Sequence, residues 1–249
     1  MRERVLTIMI FIGLAAFAAC RDPGPLSSRG GVQVSFATRA PVTTPAPVVM
    51  AQPAGDTIRS GSNTLVIDQA EMILRQIELK RSEATACQGG VTGCEEVEIG
   101  PLLVDLPLGG TPQQRLTVDI PEGTYDQVDF EIHKLTTDQP DAALRAQRPD
   151  MVDRSIKVRG SWNGAAFTFE TDLDVEQELS VSPPLVVASE TSTNLTLRVV
   201  LADWFRDAAG VLIDPATANK GGPNESIVKN RIKDSMKAFE DRDRDGDEG

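Results

Sequence analysis

One histidine, His133, and one tyrosine stand in a chain of 249 residues, and aromatic side chains make up only 4% of it. A lone imidazole leaves no site built from several histidines, so any Ser-His-Asp or Cys-His machinery would have to be built on His133. Neither a G-x-S-x-G turn nor a catalytic-cysteine context accompanies it. The shortage of aromatic rings argues against a sugar-stacking cleft. Cations are scarce as well: 25 Lys and Arg stand against 37 Asp and Glu, a formal charge of -12. Binding to nucleic acid or anionic headgroups by charge needs basic patches, and the sequence offers none. The apolar stretch from Val5 to Ala19 is too short to span a bilayer as a helix.

That stretch is informative in another way. Arg2 and Arg4 precede it and small residues end it, the pattern of a secretory signal peptide. Its end, Leu14-Ala15-Ala16-Phe17-Ala18-Ala19-Cys20, resembles the lipobox of bacterial lipoproteins, with Phe17 where that family usually has Leu. The resemblance implies cleavage before Cys20 and acylation of its thiol and new amino group. Residues 1–19 are then a lipoprotein signal peptide, and 20–31, rich in Pro, Gly and Ser, an acylated tether. The expected location is the cell envelope, with the chain extracytoplasmic and lipid-anchored to a bacterial membrane, the outer one favoured over the inner. Arg2, Glu3 and Arg4 sum to +1, so cleavage takes the charge from -12 to near -13.

Cys87 and Cys94 remain as an even pair around a glycine-rich turn. In an oxidising compartment they read as a disulfide closing a short loop, a gain of roughly 2–3 kcal/mol. The spacing is not the C-x-x-C of redox proteins, and two thiolates cannot fill a four-ligand zinc site.

From residue 32 onward the dominant period is two, the mark of strands. Val32, Val34 and Phe36 form a first strand, followed by a Pro-rich loop at 40–61. Leu65 and Ile67, then Met72 and Leu74, then Ile77 and Leu79 alternate with changes of phase that predict a bulge. Glu96 to Leu106 reads as a strand pair or a bent strand around Gly100-Pro101. Leu116–Ile120 and Val128–Ile132 read as a hairpin around Pro121-Glu122-Gly123-Thr124. Asn163-Gly164 predicts a type I′ turn, which places Trp162 opposite Ala165, Gly160 opposite Phe167, Val158 opposite Phe169 and Lys157 opposite Glu170. Downstream, Phe167, Phe169, Leu173, Val175, Leu179 and Val181 share an apolar face, and Glu170, Asp172, Asp174, Glu176 and Glu178 share a solvated acidic one. Leu195–Leu201 makes a last strand ending at Trp204-Phe205. Beyond Pro223, Asn224 caps a helix from Glu225 to Phe239 with the stripe Val228, Ile232, Met236 and Phe239. The expected fold is all-β: an antiparallel β-sandwich over 32–213, with 214–249 holding one short C-terminal helix and an Asp-rich tail.

Several of these segments carry a resemblance: Gly31-Val-Gln-Val-Ser-Phe-Ala-Thr-Arg-Ala-Pro41, the run Leu65–Lys80, Leu103-Val-Asp105-Leu106 and Ile120-Pro-Glu-Gly123-Thr124-Tyr125. With the lipobox they are similar to bacterial surface lipoproteins of the domain of unknown function 4382 type, over about residues 31–202. The resemblance implies an immunoglobulin-like or transthyretin-like sandwich and no catalytic residues. The Pro-rich insert after Ala40 and the Cys87/Cys94 loop depart from that pattern.

Candidate chemistry is sparse. Asp241, Asp243, Asp245 and Gly246 match positions 1, 3, 5 and 6 of an EF-hand calcium loop, and the Glu expected at position 12 is missing. Weak Ca2+ binding by an otherwise extended tail is the expectation. The acidic stripe offers no shared site along one strand, because alternate positions stand roughly 7 Å apart. His133 belongs on the polar face with Asp129 and Glu131, as an exposed histidine. The expected function is non-catalytic: a membrane-anchored extracytoplasmic module for binding, adhesion or envelope structure, with the lipid bilayer and an unidentified protein or glycan as partners and no nucleic acid. The alternative is a carbohydrate-binding module or hydrolase with an acidic site. A concave pocket gathering carboxylates of displaced pKa would mark the enzyme.

Overall fold

Alternation assigns residues to faces, and backbone hydrogen bonding then decides which strands become neighbours. The computed structural model describes residues 29–38, 55–82, 100–109 and 111–246. Cys20, Cys87, Cys94 and residues 40–54 of the Pro-rich stretch lie outside the described residues. The strands are β1 (Arg29–Thr38), β2 (Asp56–Ser60), β3 (Asn63–Arg81), β4 (Leu102–Asp105), β5 (Gln113–Pro121), β6 (Gly123–Ile132), β7 (Ile156–Trp162), β8 (Ala165–Thr171), β9 (Val175–Val187), β10 (Ser192–Val199) and β11 (Met236–Glu240). The helices are α1 (Ala142–Gln147), α2 (Leu201–Trp204) and α3 (Glu225–Asp234).

The strands join in the order β5-β1-β10-β11-β9-β6-β3-β7-β8, with β2 and β4 also paired to β3. The sheet is mixed rather than antiparallel, because β1 runs parallel to β10 and β11 parallel to β9. It curls so that both halves feed one core: Val32, Val34, Val118 and Leu195 from one, Leu65, Met72, Val128 and Phe169 from the other. Alternation carries no information on strand direction, which is why the parallel pairs escape a sequence reading.

The Asn163-Gly164 hairpin has the expected register, with Trp162↔Ala165, Gly160↔Phe167, Val158↔Phe169 and Lys157↔Glu170. Both turn residues have positive φ, 50° and 84°. The phase changes in β3 are real bulges: its register shifts against β7 at Ile67/Gln69 and against β6 at Leu74/Ile77. Gly160 is required beside the first bulge, since a Cβ there would lie 1.9 Å from the Val66 carbonyl oxygen.

Other expectations are corrected. The tether's last residues already pair, because β1 begins at Arg29. The end of the supposed loop at 40–61 is strand β2, paired to β3. Of the segment 96–106, residues 96–99 lie outside the described residues, and Leu102–Asp105 forms β4. Strands β5 and β6 make no hairpin: β5 pairs with β1, whereas β6 pairs with β3 and β9. Pro121 has no N–H to continue a ladder, and the Tyr125 hydroxyl donates to its carbonyl at 2.8 Å, pinning the crossing between the halves.

The C-terminal segment differs most. Asn224 stands at the N-cap of α3, but its amide donates to Thr217 Oγ1 at 2.8 Å instead of capping. The helix stops at Asp234, and Ser235 closes it by accepting from Trp204 Nε1 at 2.7 Å and donating to the Ile232 carbonyl. Met236–Glu240 is then strand β11, between β10 and β9. The 3–4 spacing of Val228, Ile232, Met236 and Phe239 fits a helix equally well, but two open strand edges needed a partner. Helix α3 and strand β11 are thus part of the main core, through Val228, Ile232, Met236 and Ala238.

On the outer face of β3, β7 and β8, Glu71, Lys157 and Glu170 lie abreast. Arg148 reaches down to Glu71 through two nitrogens, at 2.7 and 3.1 Å, and also grips Asp150. Lys157 Nζ bridges Asp150 at 3.2 Å and Glu170 at 3.0 Å, so this lysine is buried rather than solvated. Glu170 also binds Arg154, and Asp172 binds Lys220 and Lys229. The first two members of the acidic stripe are therefore neutralised.

Two outcomes follow from this packing. Phe239 is 1% exposed beneath the Arg198 guanidinium, so Phe239→Ala should cost about 3–5 kcal/mol in urea unfolding. Ile227→Ala, on the open side of α3, should cost under about 0.5 kcal/mol. The second outcome concerns pH. Arg148 and then Lys157 hold Asp150 well below the usual carboxylate range, as Lys220 and Lys229 do Asp172. Burial pushes Glu170 up, but Arg154 and Lys157 outweigh it and leave it lowered. Depressed folded values mean that the unfolded chain binds more protons, so this stability is full above about pH 4 and is lost as pH falls further. Urea midpoints read by tryptophan fluorescence should drop from pH 5 to 2.5, and Lys157→Met should flatten that slope.

Candidate functional site

Ile73 sits where the sheet forks. Its N–H donates to Ser155 O at 2.8 Å and its carbonyl accepts from His133 N at 2.9 Å. Both bonds leave the same edge of β3, but they reach segments that then part, β7 with β8 one way and β6 with β9 the other. Residues 133–155 fill the fork as an excursion containing a 3₁₀ turn at Gln139–Asp141 and α1. Ile73, Leu135 and Met151 pack beneath it as a small second core.

His133 directly follows β6, and Asp174 directly precedes β9. The last ladder pair is Ile132↔Val175, so the two residues extend the register by one step, beside Glu131↔Glu176. Alternation is right about the face: His133 lies on the side of Asp129 and Glu131. It is wrong about exposure, and the expected surface histidine is buried, 2% exposed. The cause is the 3₁₀ turn, which folds Asp141 over it. Nε2 of His133 is 2.8 Å from Asp141 Oδ2, and that oxygen also accepts from the N–H and hydroxyl of Thr136, at 2.6 and 2.8 Å. Burial pushes the Asp141 carboxyl up, but the Thr136 N–H, His133 and the Thr136 hydroxyl together bring it below its ordinary value.

Nδ1 of His133 faces the other way. It lies 3.5 Å from Glu131 Oε1 and 3.9 Å from Asp174 Oδ1. An imidazolium would be attracted at these distances, but they are too long for hydrogen bonds, and Nδ1 has no hydrogen-bond partner among the described residues. Alongside opens a pocket of about 240 Å³ lined by Gln76, Asp129, Phe130, Glu131, Asp174, Val175 and Glu176. Asp129 faces Glu78 across one ladder and Glu178 across the other. Like charges placed opposite one another are destabilising, by about 0.2–1 kcal/mol a pair. Lys80 answers part of this by pairing with Asp129, which in turn holds the ammonium above its usual pKa. Among the described residues the wall offers no hydroxyl or thiol nucleophile and no basic side chain. The displaced carboxyl near it, Asp141, lies behind His133 and not on the wall.

The C-terminal carboxylates are also drawn together, since Asp241, Asp243 and Asp245 offer oxygens within 4.8 Å of one another. The tail nevertheless does not hang free as far as Gly246. Asp241 is buried: its Oδ1 accepts from Asp245 N at 3.1 Å, and its Oδ2 from Gly246 N at 3.0 Å and Thr196 Oγ1 at 2.9 Å. Backbone amides that donate to Asp241 order this loop. Trp204 is fully buried in the core. Among the described residues no helix is long and apolar enough to cross a membrane. The chain matches no protein-family model, no curated protein and no solved structure.

Sequence alternation puts Glu131 and His133 on one face but could not join Asp174 or Asp141 to them, because these meet His133 only through the ladder and the turn. The tail prediction is specific. Asp241→Ala should cost about 1–3 kcal/mol, because buried donors lose their acceptor. Asp243→Asn, at an exposed position, should change urea stability by under about 0.5 kcal/mol.

Proposed function

We propose that this is a non-catalytic binding module of the bacterial envelope. It is anchored at acylated Cys20 on the extracytoplasmic side and presents a cation-binding acidic face. The two halves of the curled sheet are read as a sandwich, immunoglobulin-like or transthyretin-like, of the domain of unknown function 4382 type. Tyr125, bonding back to Pro121 where the chain passes between the halves, supports that reading. The observation that carries the binding function is the pocket at the fork, whose polar wall is four carboxylates and one amide. Such a wall suits a cationic ligand or a basic segment of an envelope protein. A glycan is less well served, since Phe130 is buried and gives no stacking platform. The hydrolase alternative rests on the same carboxylates, with no hydroxyl or thiol beside them among the described residues of the wall. Weak calcium binding at Asp241, Asp243 and Asp245 belongs to the same proposal, as does the Cys87–Cys94 disulfide.

Cell fractionation tests the anchor. One acyl chain holds a protein only marginally and several hold it firmly, so Cys20→Ala should move the protein out of the membrane fraction and remove the lipid mass. A variant that stays in membranes with unchanged mass would refute the lipoprotein reading. Thiol titration of unfolded, non-reduced mature protein should find no free cysteine. Binding of an oligolysine peptide to the full chain in detergent should weaken with salt, and Glu176→Lys with Glu178→Lys should remove most of that salt dependence.

A further inference from the structure

We propose that His133 Nδ1, Glu131 and Asp174 form a binding site for one divalent first-row transition ion, with Zn2+ the best-fitting case. This rests on reading the pocket at the fork as cation-binding and names the ion.

The first argument is the orphaned nitrogen. Asp141 Oδ2 acts as an acceptor for a backbone N–H and a hydroxyl, and as the same acceptor it receives a hydrogen bond from His133 Nε2–H. In the neutral ring that leaves the lone pair on Nδ1. It points at two carboxylates from a side chain 3% exposed, and a lone pair facing two anions is repulsive. A cation between them converts repulsion into three bonds.

The second argument is spacing. Ligands at about 2.0–2.1 Å on a tetrahedral zinc stand about 3.3 Å apart. The gap from Nδ1 to Glu131 Oε1 is 3.5 Å, and the one to Asp174 Oδ1 is 3.9 Å. All three ligand atoms fall within 4.8 Å of one another. Asp174 is the member that has to close, and its side chain is 42% exposed and free to turn.

The third argument is support. A ligating histidine usually donates its other N–H to a carboxylate, which fixes ring and tautomer. Asp141 occupies that position, and the ring is further held by the His133 N–H to Ile73. Imidazole favours zinc and its neighbours over calcium and magnesium, for which all-oxygen sets are usual. Three protein ligands leave a fourth position toward the pocket, where Glu176 and Asp129 add negative field.

The test is a calorimetric Zn2+ titration of the full chain, purified in detergent and stripped with a chelator. Wild type should bind one ion tightly. Asp141→Asn should weaken it about 10–100-fold, the usual effect of losing such a support, and His133→Ala should weaken it more. Asp174→Asn guards against misfolding: its side chain is partly solvated, so metal-free thermal unfolding should stay unchanged while affinity falls at least about 10-fold. Asp243→Asn should leave the tight site intact, which separates it from the tail. Loaded with Co2+, wild type should show a visible ligand-field band that His133→Ala lacks. Equal affinities in wild type, His133→Ala and Asp174→Asn would overturn the site, as would no Zn2+ binding by wild type at millimolar concentration. If zinc fails while oligolysine still binds with its salt dependence, the acidic-face reading stands and the metal site alone is rejected.

Discussion

The two hydrogen bonds of Ile73 set the geometry on which the rest depends. A regular strand would hand both its N–H and its C=O to one neighbour. Here one goes to Ser155 and the other to His133, so β6 and β7 leave the same edge of β3 in different company. The bulges at Ile67/Gln69 and Leu74/Ile77 bend β3 enough to serve both. The gap must be filled, and residues 133–155 fill it with a small apolar cluster below and a charged cover above. Without the fork, His133 would continue the ladder on an open face.

The same excursion sorts the charges of the molecule. On one side of the fork Arg148, Lys157 and Arg154 meet Glu71, Asp150 and Glu170 with good geometry. On the other, Glu78, Asp129, Glu131, Glu176 and Glu178 gather with Lys80 as the paired cation among them. One face is locally consistent, and the other carries repulsion in its folded state. Places where a fold tolerates such inconsistency are where function is to be sought. That contrast, more than the number of carboxylates, supports the cation-binding role proposed for the acidic pocket.

Strand β11 plays the matching part at the far side. It fills the gap between β10 and β9, and its meeting with β9 is narrow, through Ala238 and Val181. Ser235 joins the end of α3, the indole of Trp204 and Val200 N in one knot. Asp241 then gathers the chain that follows. The C-terminal residues thereby complete the sheet.

Much was legible from sequence because strand faces obey a strict period. The Asn163-Gly164 register, the phase changes of β3 and the apolar faces of β1 and β10 all follow from side-chain order and turn chemistry. The acidic residues of the site were legible as a polar face. Direction was not: nothing in Val32–Phe36 or Leu195–Leu201 says that these strands run parallel, since the pairing joins segments far apart in the chain. Nor did spacing tell β11 from a fourth helical turn, because Met236 and Phe239 satisfy both patterns until a neighbour is available. For His133 the sequence determined the side of the sheet, and the tertiary structure decided its chemistry. Local alternation orients a side chain, but burial and a partner carboxylate come only from the turn that packs Asp141 over it.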